Sequence, residues 1–219
     1  MALVNHWPLF GLSVRSPRLE LRYIDQALAV ALAELAAEGI HDADTMPFAV
    51  PWTDAPPGEL QRNALQFYWR RWAELRADDW GLGLAVIAAG AVVGAQDLMA
   101  KDFTRRRGFE TGSWLGRRFQ RQGIGTEMRQ AALHLGFAGL GAAFAESAAW
   151  DDNHASIAVS RKLGYEQTGE AIELRRHEPV RMMQFRLTRA VWERRQRDDI
   201  EIDGLEPCLP LLGLGEGVA

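Results

Sequence analysis

Two closely spaced glycines, Gly123 and Gly125, lie where a strand-like segment gives way to a helix-like one. The first backbone N–H groups of a helix have no acceptor within the helix, and the helix dipole adds partial positive charge at that end. A phosphate group would fit such a turn. The spacing therefore predicts an anion-binding turn at residues 120–126, although a tight strand-to-helix turn without a ligand fits the same glycines.

Two common nucleotide-binding motifs are excluded at this turn. A P-loop requires Lys and then Ser or Thr after its last glycine, whereas Gly125 is followed by Thr126 and Glu127. A dinucleotide fingerprint requires a small residue where Met128 stands, and an acidic residue about twenty positions later, where residues 142–145 are apolar. The anion is therefore expected to be held in a different way.

The elements around the turn are predicted to form a strand–helix–strand–helix unit. Asn153 is a suitable N-cap for the second helix, and Gly164 is a suitable residue after its end. Apolar runs and helical spacing give the four elements, which are residues 109–115, 123–140, 142–149 and 153–163.

The N-terminal half is predicted to supply a strand, two helices and a hairpin. Asp25 and Gly39 bound the first helix, and Ala89 with Gly90 forms the hairpin turn. The segments are a first strand at 19–23, helices at 25–39 and about 60–78, hairpin strands at 82–88 and 91–99, and a basic loop at 101–107.

The remaining segments are predicted to complete one domain. The proline-rich segment 41–57 resists regular structure, but its Met46, Phe48 and Trp52 indicate that it packs against the fold. Antiparallel strands are expected at 165–175 and 181–187 and a short helix at 189–195, while an arm, 1–15, and a tail, 198–219, pack on the domain or on a neighbour.

Composition limits the classes of function. The 219 residues are 47% hydrophobic, enough for one domain with a sizeable core, and the net charge of -4 disfavours general binding to nucleic acid or anionic membrane. Cys208 is the only cysteine, so an intrachain disulfide, a cysteine zinc site and an iron–sulfur cluster are excluded. The histidines lack metal-ligand spacing, and no signal peptide or membrane-spanning run is evident. A cytoplasmic protein without a metal is expected.

Motifs at and around the turn resemble those of one family. Gln120-x-x-Gly123-x-Gly125 resembles the Gln/Arg-x-x-Gly-x-Gly/Ala pyrophosphate loop of GNAT acyltransferases. Over roughly residues 16–188, SPRLELR (16–22), GSWL (112–115), NxxS (153–156) and KLGY (162–165) resemble the RimJ/RimL branch in the same order. HWPLF (6–10), MPFAVPW (46–52) and SWLG (113–116) resemble an actinobacterial subgroup that includes a succinyl-CoA-binding member.

This resemblance implies an α/β (α+β) GNAT fold. Its single mixed, mostly antiparallel sheet has about six to seven strands, with a central splayed parallel pair and flanking helices. The splayed strands would be residues 109–116 and 142–149, with the pantetheine arm of acetyl-CoA or succinyl-CoA between them. The residues expected to hold the coenzyme are Trp114, Leu115, Gln120, Arg121, Gln122, Gly123, Ile124, Gly125, Thr126, Asn153 and Ser156; Arg117, Arg118, Arg121, Arg161 and Lys162 are candidates to neutralise phosphate.

The implied reaction moves the acyl group to a primary amine by direct attack in a ternary complex. Such an attack requires a neutral amine, a polarised thioester carbonyl and a proton for the thiolate. Glu110 and Glu146 are the candidate bases, and Ser156 is the candidate acid. The backbone N–H near Leu115 is the candidate oxyanion donor. The glutamates fit equally well as exposed carboxylates, and Ser156 as part of a helix cap.

Several alternatives stay open. A catalytically silent acyl-CoA-binding or regulatory module would keep the same loop, and a scaffold protein would keep the fold. A homo-oligomer is expected, and the amine acceptor is a protein N-terminus, a lysine or a small molecule. A succinyl carboxylate would require a cation, for which Arg105, Arg106, Arg107, Arg175, Arg176 and Arg181 are available; Trp52, Phe67, Tyr68, Trp69 and Trp72 fit either the core or an acceptor pocket.

Overall fold

The computed structural model describes residues 2–215, and its strands form one sheet. The strands are β1 (Ser13–Arg15), β2 (Leu19–Tyr23), β3 (Asp79–Ala88), β4 (Ala91–Lys101), β5 (Gly108–Leu115), β6 (Phe144–Trp150), β7 (Glu166–Arg175), β8 (Glu178–Thr188) and β9 (Glu201–Asp203). The helices are α1 (Gln26–Ala37), α2 (Pro57–Ala73), α3 (Phe103–Arg106), α4 (Ile124–His134), α5 (His154–Leu163) and α6 (Arg189–Glu193).

The sheet order is β7-β8-β6-β5-β4-β3-β2-β1-β9. All neighbouring strands are antiparallel except β5 and β6, which are parallel. The predicted fold class is confirmed, but the described part of the sheet has nine strands rather than six to seven. The additional edge strands, β1 and β9, have only three residues each, too few to show an alternating pattern in the sequence.

The arm and the tail meet at this edge of the sheet. Val14 of β1 lies opposite Ile202 of β9, and β1 also pairs with β2. The strand at 19–23, predicted to be the first, is therefore the second. In the tail, Cys208 and Leu212 are fully buried. Residue 1 of the predicted arm and residues 216–219 of the predicted tail lie outside the described residues.

The helices cover both faces of the sheet. The side chain of Asp25 caps α1 by accepting the Leu28 N–H at 2.8 Å. Leu32 of α1 and Tyr68 of α2 pack against small residues of β3 and β4 on one face, and α4 packs on the opposite face through Met128, Ala131 and Ala132. The proline-rich segment packs back as predicted, because Met46 is buried and Phe48 and Trp52 contact the end of α1.

Three predicted boundaries were wrong. The basic loop at 101–107 contains the short helix α3, because Phe103 is fully buried against the Trp80 ring at 5.2 Å. The helix predicted over 123–140 is α4 followed by a π-helical turn, Leu135–Gly139. The second helix ends at Ala73 rather than near residue 78.

Within residues 2–215, no helix has both the length and the apolar character needed to cross a membrane.

Gly136, in the π-helical turn, allows this turn to contact β5. A Cβ atom at this position would overlap the fully buried ring of Phe109. We expect Gly136→Ala to lower the free energy of unfolding by about 1–3 kcal/mol, since an overpacked core must shift. Urea denaturation measures this change.

The matched control is Gly58→Ala in α2, where the added Cβ meets nothing within 4 Å. That substitution should leave stability unchanged or raise it slightly, because alanine favours helix. Equal destabilisation by both substitutions would contradict the packing explanation.

Candidate active site

The turn at residues 120–126 joins β5 to α4. Gly123 adopts a φ of +80°, in the left-handed region, immediately before Ile124 begins the helix. Among the described residues, no backbone acceptor lies within hydrogen-bonding distance of the N–H groups at positions 121–126. A run of unpaired donors therefore lies at the positive end of α4.

Gln120 fixes the shape of this turn. Its Nε2 donates to the Ile40 carbonyl at 2.6 Å and to the Leu115 carbonyl at 3.0 Å. These bonds tie the turn to the end of β5 and to the segment after α1. Both hydrogens of the side-chain amide are thus used within the protein, so this residue braces the loop.

Arg18, in the connection between β1 and β2, lies beside the turn. Its Nε donates to Glu127 at 2.6 Å, and its Nη1 donates to the Gln122 carbonyl at 3.2 Å. Burial alone would raise the pKa of Glu127, but hydrogen bonds from Ser16 and Arg18 hold that pKa below its ordinary value. This ion pair holds the start of α4 against the opening strands and places a guanidinium next to Gly123.

The other basic residues near the turn differ in their availability. Arg117 pairs with Asp42, and Arg118 pairs with Glu38. Arg121 is exposed and has no ion pair with any residue in the described range. Of the arginines near the turn that were predicted to neutralise phosphate, Arg121 is therefore the one whose charge is not already paired within residues 2–215. Arg161 and Lys162 lie in the last turn of α5 and are exposed.

β5 and β6 separate soon after they meet. Their parallel pairing covers three residues and ends where Glu110 lies opposite Glu146. β5 continues to Leu115 and β6 to Trp150. Beyond Glu110 and Glu146 both strands continue without pairing to each other, so a gap opens between them within the sheet.

The β5 side of this gap carries free backbone donors. The Gly116 N–H donates to the Val93 carbonyl at 2.9 Å, toward β4. Because successive residues of a strand point their N–H groups in opposite directions, those of Ser113 and Leu115 point toward the gap. An extended ligand can pair with them as a strand would.

Arg129 of α4 spans the gap on one face of the sheet. Its Nη2 donates to Ser113 Oγ at 3.1 Å, its Nη1 to Ser147 Oγ at 3.2 Å, and its Nε to Gln96 Oε1 at 3.4 Å. The side chain is buried and has no ion pair within residues 2–215. A positive charge with neutral partners therefore forms the floor of the gap.

Carboxylates lie on the opposite face, which α1 and α2 border. Glu146 accepts a hydrogen bond from Arg186 at 2.7 Å and lies 3.9 Å from Arg106. Glu110 has no ion pair among the described residues, and partial desolvation together with the charge of Glu146 raises its pKa. The two predicted bases therefore share one face, but only one of them is free.

A third carboxylate, Asp97 of β4, lies in a narrow cleft of about 10 Å³ between α2 and the sheet, which is room for about one water molecule. Its strand neighbours are Gly83 of β3 and Gly112 of β5, so no side chain lies beside it on either strand. No hydrogen bond to its carboxylate is found within residues 2–215. Burial raises the pKa of Asp97 to about 6, and the charge of Arg71 offsets only part of that effect. The cleft is also lined by Tyr23, Phe67, Tyr68 and Trp72.

Asn153 and Ser156 follow the end of β6, across the gap from the turn. Asn153 Oδ1 accepts the Ser156 N–H at 3.2 Å, so the predicted helix cap is confirmed. Ser156 Oγ is half-buried and has no hydrogen bond in the described range. A role for this hydroxyl in proton transfer stays a prediction.

The proline-rich segment and the β7–β8 turn meet near the carboxylate face. Trp52 lies 6.0 Å from the ring of Trp114, which shares that face with Gly112. Arg176 of the turn forms two hydrogen bonds with Asp54, at 2.7 and 2.5 Å. These contacts join two distant parts of the chain beside the gap.

A separate cavity of about 60 Å³ lies between α4, α5 and α6, and Lys162 is the one predicted site residue among the described residues that line it. Gln130 and His134 line it, and the His134 ring lies 6.0 Å from that of Trp192. Burial lowers the pKa of His134, which agrees with a structural rather than a catalytic histidine.

The model of the acetyltransferase (GNAT) domain family matches residues 18–166, which is more than half of the chain. The chain belongs to this GNAT family.

Solved GNAT structures share the fold. A GCN5-related N-acetyltransferase from Brucella melitensis has a TM-score of 0.65 at 19% identity, over 83% of this chain and 80% of that one. RimL, the ribosomal L7/L12 alpha-N-protein acetyltransferase, in complex with coenzyme A, has a TM-score of 0.62 at 18% identity, over 79% and 95%. The ribosomal-protein-S5-alanine acetyltransferase from Vibrio fischeri has a TM-score of 0.63 at 17% identity, over 82% and 98%. At these identities the matches establish a shared fold.

Three residues around the gap and the turn were not singled out for chemistry from the sequence. Arg18 lies in a motif that was recognised, but its partner is 109 positions away. Arg129 interrupts the apolar face of α4, and Asp97 is the one charged residue in the run 91–100. A charged residue within an apolar face or run is the sequence signal that could have identified Arg129 and Asp97. The partners of each side chain depend on the fold.

The raised pKa of Asp97 predicts a pH-dependent stability. The folded state favours the neutral acid, so wild type loses stability as pH rises from about 4 to about 7. Asp97→Asn removes this titration. We therefore expect the free energy of unfolding of Asp97→Asn, minus that of wild type, to increase by up to about 3 kcal/mol between pH 4 and pH 8.

Urea denaturation at the two pH values measures this difference. Asp198→Asn, at an exposed position, is the control and should show no such change. A difference between wild type and Asp97→Asn that is independent of pH would show that the Asp97 carboxylate is ordinarily solvated.

Proposed function

We propose that this protein is an acetyl-CoA-dependent N-acetyltransferase that acts on a primary amine. The observation that carries the proposal is the pair of unpaired donor sets, one on β5 at the gap and one at the start of α4. The turn at residues 120–126 joins β5 to α4, so one elongated ligand could contact both sets of donors. An elongated ligand with amides at one end and a pyrophosphate at the other, which is the shape of coenzyme A, would satisfy both sets.

Coenzyme A would lie with its pantetheine arm in the gap. The arm would pair with the backbone of Ser113 and Leu115, and the amides of residues 121–126 would bind the pyrophosphate. Of the predicted coenzyme residues on β5, Trp114 has its backbone directed toward β4, so its contact would come from the side chain. Arg121, which has no ion pair in the described part of the chain, would supply a guanidinium for the phosphates. Asn153 and Ser156 would contact the coenzyme from the β6 side.

Acetyl transfer would follow from this placement. The thioester carbonyl would accept the N–H of Ser113 or Leu115, which stabilises the oxyanion formed by the attacking amine. The buried charge of Arg129 lies beneath the same position and favours negative charge there. Ser156 is the proposed donor of the proton to the departing thiolate. Of the two glutamates predicted as bases, Glu110 has no ion pair within residues 2–215, whereas Glu146 is held by Arg186.

Acetyl is the acyl group that the surroundings favour over succinyl. Arg175 makes two hydrogen bonds of 2.8 Å with Asp152, and Arg176 is paired with Asp54. The cations that were candidates for a succinyl carboxylate are therefore largely occupied, and Arg106 and Arg181 also lie within 4 Å of a glutamate. An acetyl group requires no cation.

A protein N-terminus is the proposed acceptor. RimL and the S5-alanine enzyme carry names that state N-terminal or alanine acetylation, and they share this fold. An α-amine with a pKa near 7.8 is neutral in about one molecule in seven at pH 7, whereas a lysine amine is neutral in about one in two thousand. An α-amine therefore demands less of a base. Assembly into a homo-oligomer stays a prediction.

Turnover tests the proposal against a silent binding module. The protein is incubated with acetyl-CoA or succinyl-CoA and with peptides that offer a free α-amine, a lysine only, or neither. We expect thiol release with acetyl-CoA and the α-amine peptide, and slower release with succinyl-CoA or with lysine. Coenzyme binding without thiol release would favour the module, and the absence of binding would exclude both functions.

The turn has its own test in Gly123→Ala. The substitution places a Cβ in the left-handed region, at a cost of about 1 kcal/mol, so the turn relaxes and its donors lose their alignment. We expect the dissociation constant for coenzyme A to rise about tenfold, as measured by calorimetry.

Gly90→Ala is a matched control, because Gly90 has the same φ of +80° in the distant β3–β4 turn. It should cost similar stability and leave the affinity for coenzyme A unchanged. If Gly123→Ala and Gly90→Ala bound coenzyme A with equal affinity, the coenzyme would not be bound at the turn.

A further inference from the structure

The position of Asp97 relative to the gap suggests a role in the reaction. Asp97 lies directly opposite Gly112 of β5, which comes two residues after Glu110, the last residue of β5 that pairs with β6. Gly112 has no side chain and is only partly covered. The Gly112 backbone, which carries no side chain, therefore lies between the Asp97 carboxylate and the open part of the gap.

The two glutamates lie in a different place. Glu110 and Glu146 are opposite each other where the strands still pair, so no ligand can lie between the strands at that level. Glu146 is also held by Arg186. A thioester in the gap would lie beyond this pair, at the level of Gly112 and Ser113. Asp97 is at that level, on the face that α1 and α2 border.

The surroundings of Asp97 suit a cationic amine. Asp97 is half-buried as a residue, and its carboxylate has no hydrogen bond within the described residues, although Arg71 is near enough to influence it. Arg71 is directed elsewhere, because its Nη2 lies 3.1 Å from Met99 Sδ and its guanidinium lies over the Phe67 ring at 5.1 Å. An ammonium group would supply the missing hydrogen-bond donors.

We propose that Asp97 binds the ammonium group of the acceptor and takes its proton, with the amine placed over Gly112, beside the Asp97 carboxylate. This inference rests on the proposed acetyltransferase function. It assigns the acceptor site and names a base different from Glu110 and Glu146.

The reaction balances without a further reactant. One N–H bond of R–NH3+ breaks, and its proton passes to the Asp97 carboxylate, directly or through a water. The nitrogen lone pair then forms the C–N bond at the thioester carbon, giving an oxyanion that is stabilised from the gap. When this intermediate collapses, the C–S bond breaks, and the thiolate takes the second proton of the amine, with Ser156 as the proposed carrier. Asp97 finally releases its proton to solvent.

The groups that face Asp97 favour a base that works near neutral pH. Among the described residues, Tyr68 and Arg71 of α2 and Tyr23 of β2 line the cleft with Asp97, and Glu110 of β5 lies diagonally across from Asp97 on the neighbouring strand. Burial raises the pKa of Tyr23 to about 12 and that of Tyr68 further, so both are neutral at pH 7. Asp97, with a pKa of about 6, is then largely ionised but remains a useful proton acceptor.

Kinetics of four proteins test this assignment, with acetyl-CoA and the α-amine peptide as probes. Asp97→Asn should lower kcat about 100-fold, as expected for loss of a general base, without changing the dissociation constant for coenzyme A. The low-pH inflection of kcat/KM, near pH 6, should disappear. Asp97→Glu should recover part of the lost activity, and Glu110→Gln should lose less than Asp97→Asn. Unaltered kcat and pH profile in Asp97→Asn, or a larger loss in Glu110→Gln, would overturn the proposal.

A binding measurement keeps the test independent of turnover. Calorimetry in the presence of coenzyme A compares the α-amine peptide with its N-acetylated form. Wild type should bind the free amine at least about tenfold more tightly, and Asp97→Asn should lose that preference. No preference in wild type, or a preference retained in Asp97→Asn, would overturn the acceptor site. A wild type that shows this preference but no thiol release would instead overturn the proposed function alone.

Discussion

The early separation of β5 and β6 is the constraint on which the rest of the site depends. A central pair of strands that stops pairing after three residues leaves backbone donors unpaired inside the sheet, which is unfavourable unless another partner supplies acceptors. The neighbouring contacts hold this arrangement in place. Gln120 ties the end of β5 to the segment after α1, and the Arg18–Glu127 pair ties the start of α4 to the opening strands. The gap is therefore built by contacts between residues far apart in sequence.

Arg129 replaces the missing strand pairing with side-chain hydrogen bonds. It links Ser113 on β5 with Ser147 on β6 at the level where the backbones no longer meet. Burying a guanidinium with only neutral partners lowers the free energy of unfolding by several kcal/mol. Such a cost agrees with a functional role for the charge. The two faces of the sheet consequently differ in charge near the gap: one presents a cation beneath it, and the other presents the carboxylates that an amine would meet. In the proposed reaction, that difference would favour proton removal from the amine on one face and oxyanion formation within the gap.

Much of this architecture was predictable from local sequence. The caps at Asp25 and Asn153, the Ala89-Gly90 turn and the two glycines that open α4 gave the correct elements, because each depends on backbone conformation at a few neighbouring residues. β1 and β9 were missed because their pairing joins residues about 190 positions apart, and three residues show no periodicity. The same reason applies to the site. Asp97 is an ordinary aspartate in sequence, and it becomes an unusual one only when Gly83 and Gly112 are placed beside it.

Hydrogen–deuterium exchange with and without coenzyme A tests the central claim most directly, because it reports on the backbone N–H groups that are proposed to bind the coenzyme. Exchange should slow in two segments together, residues 111–115 along the gap and residues 121–126 at the start of α4. Gly58 and its neighbours in α2 should exchange at the same rate in both samples. Protection confined to the cavity around His134 and Trp192, or unchanged exchange in both segments at saturating coenzyme A, would contradict the account.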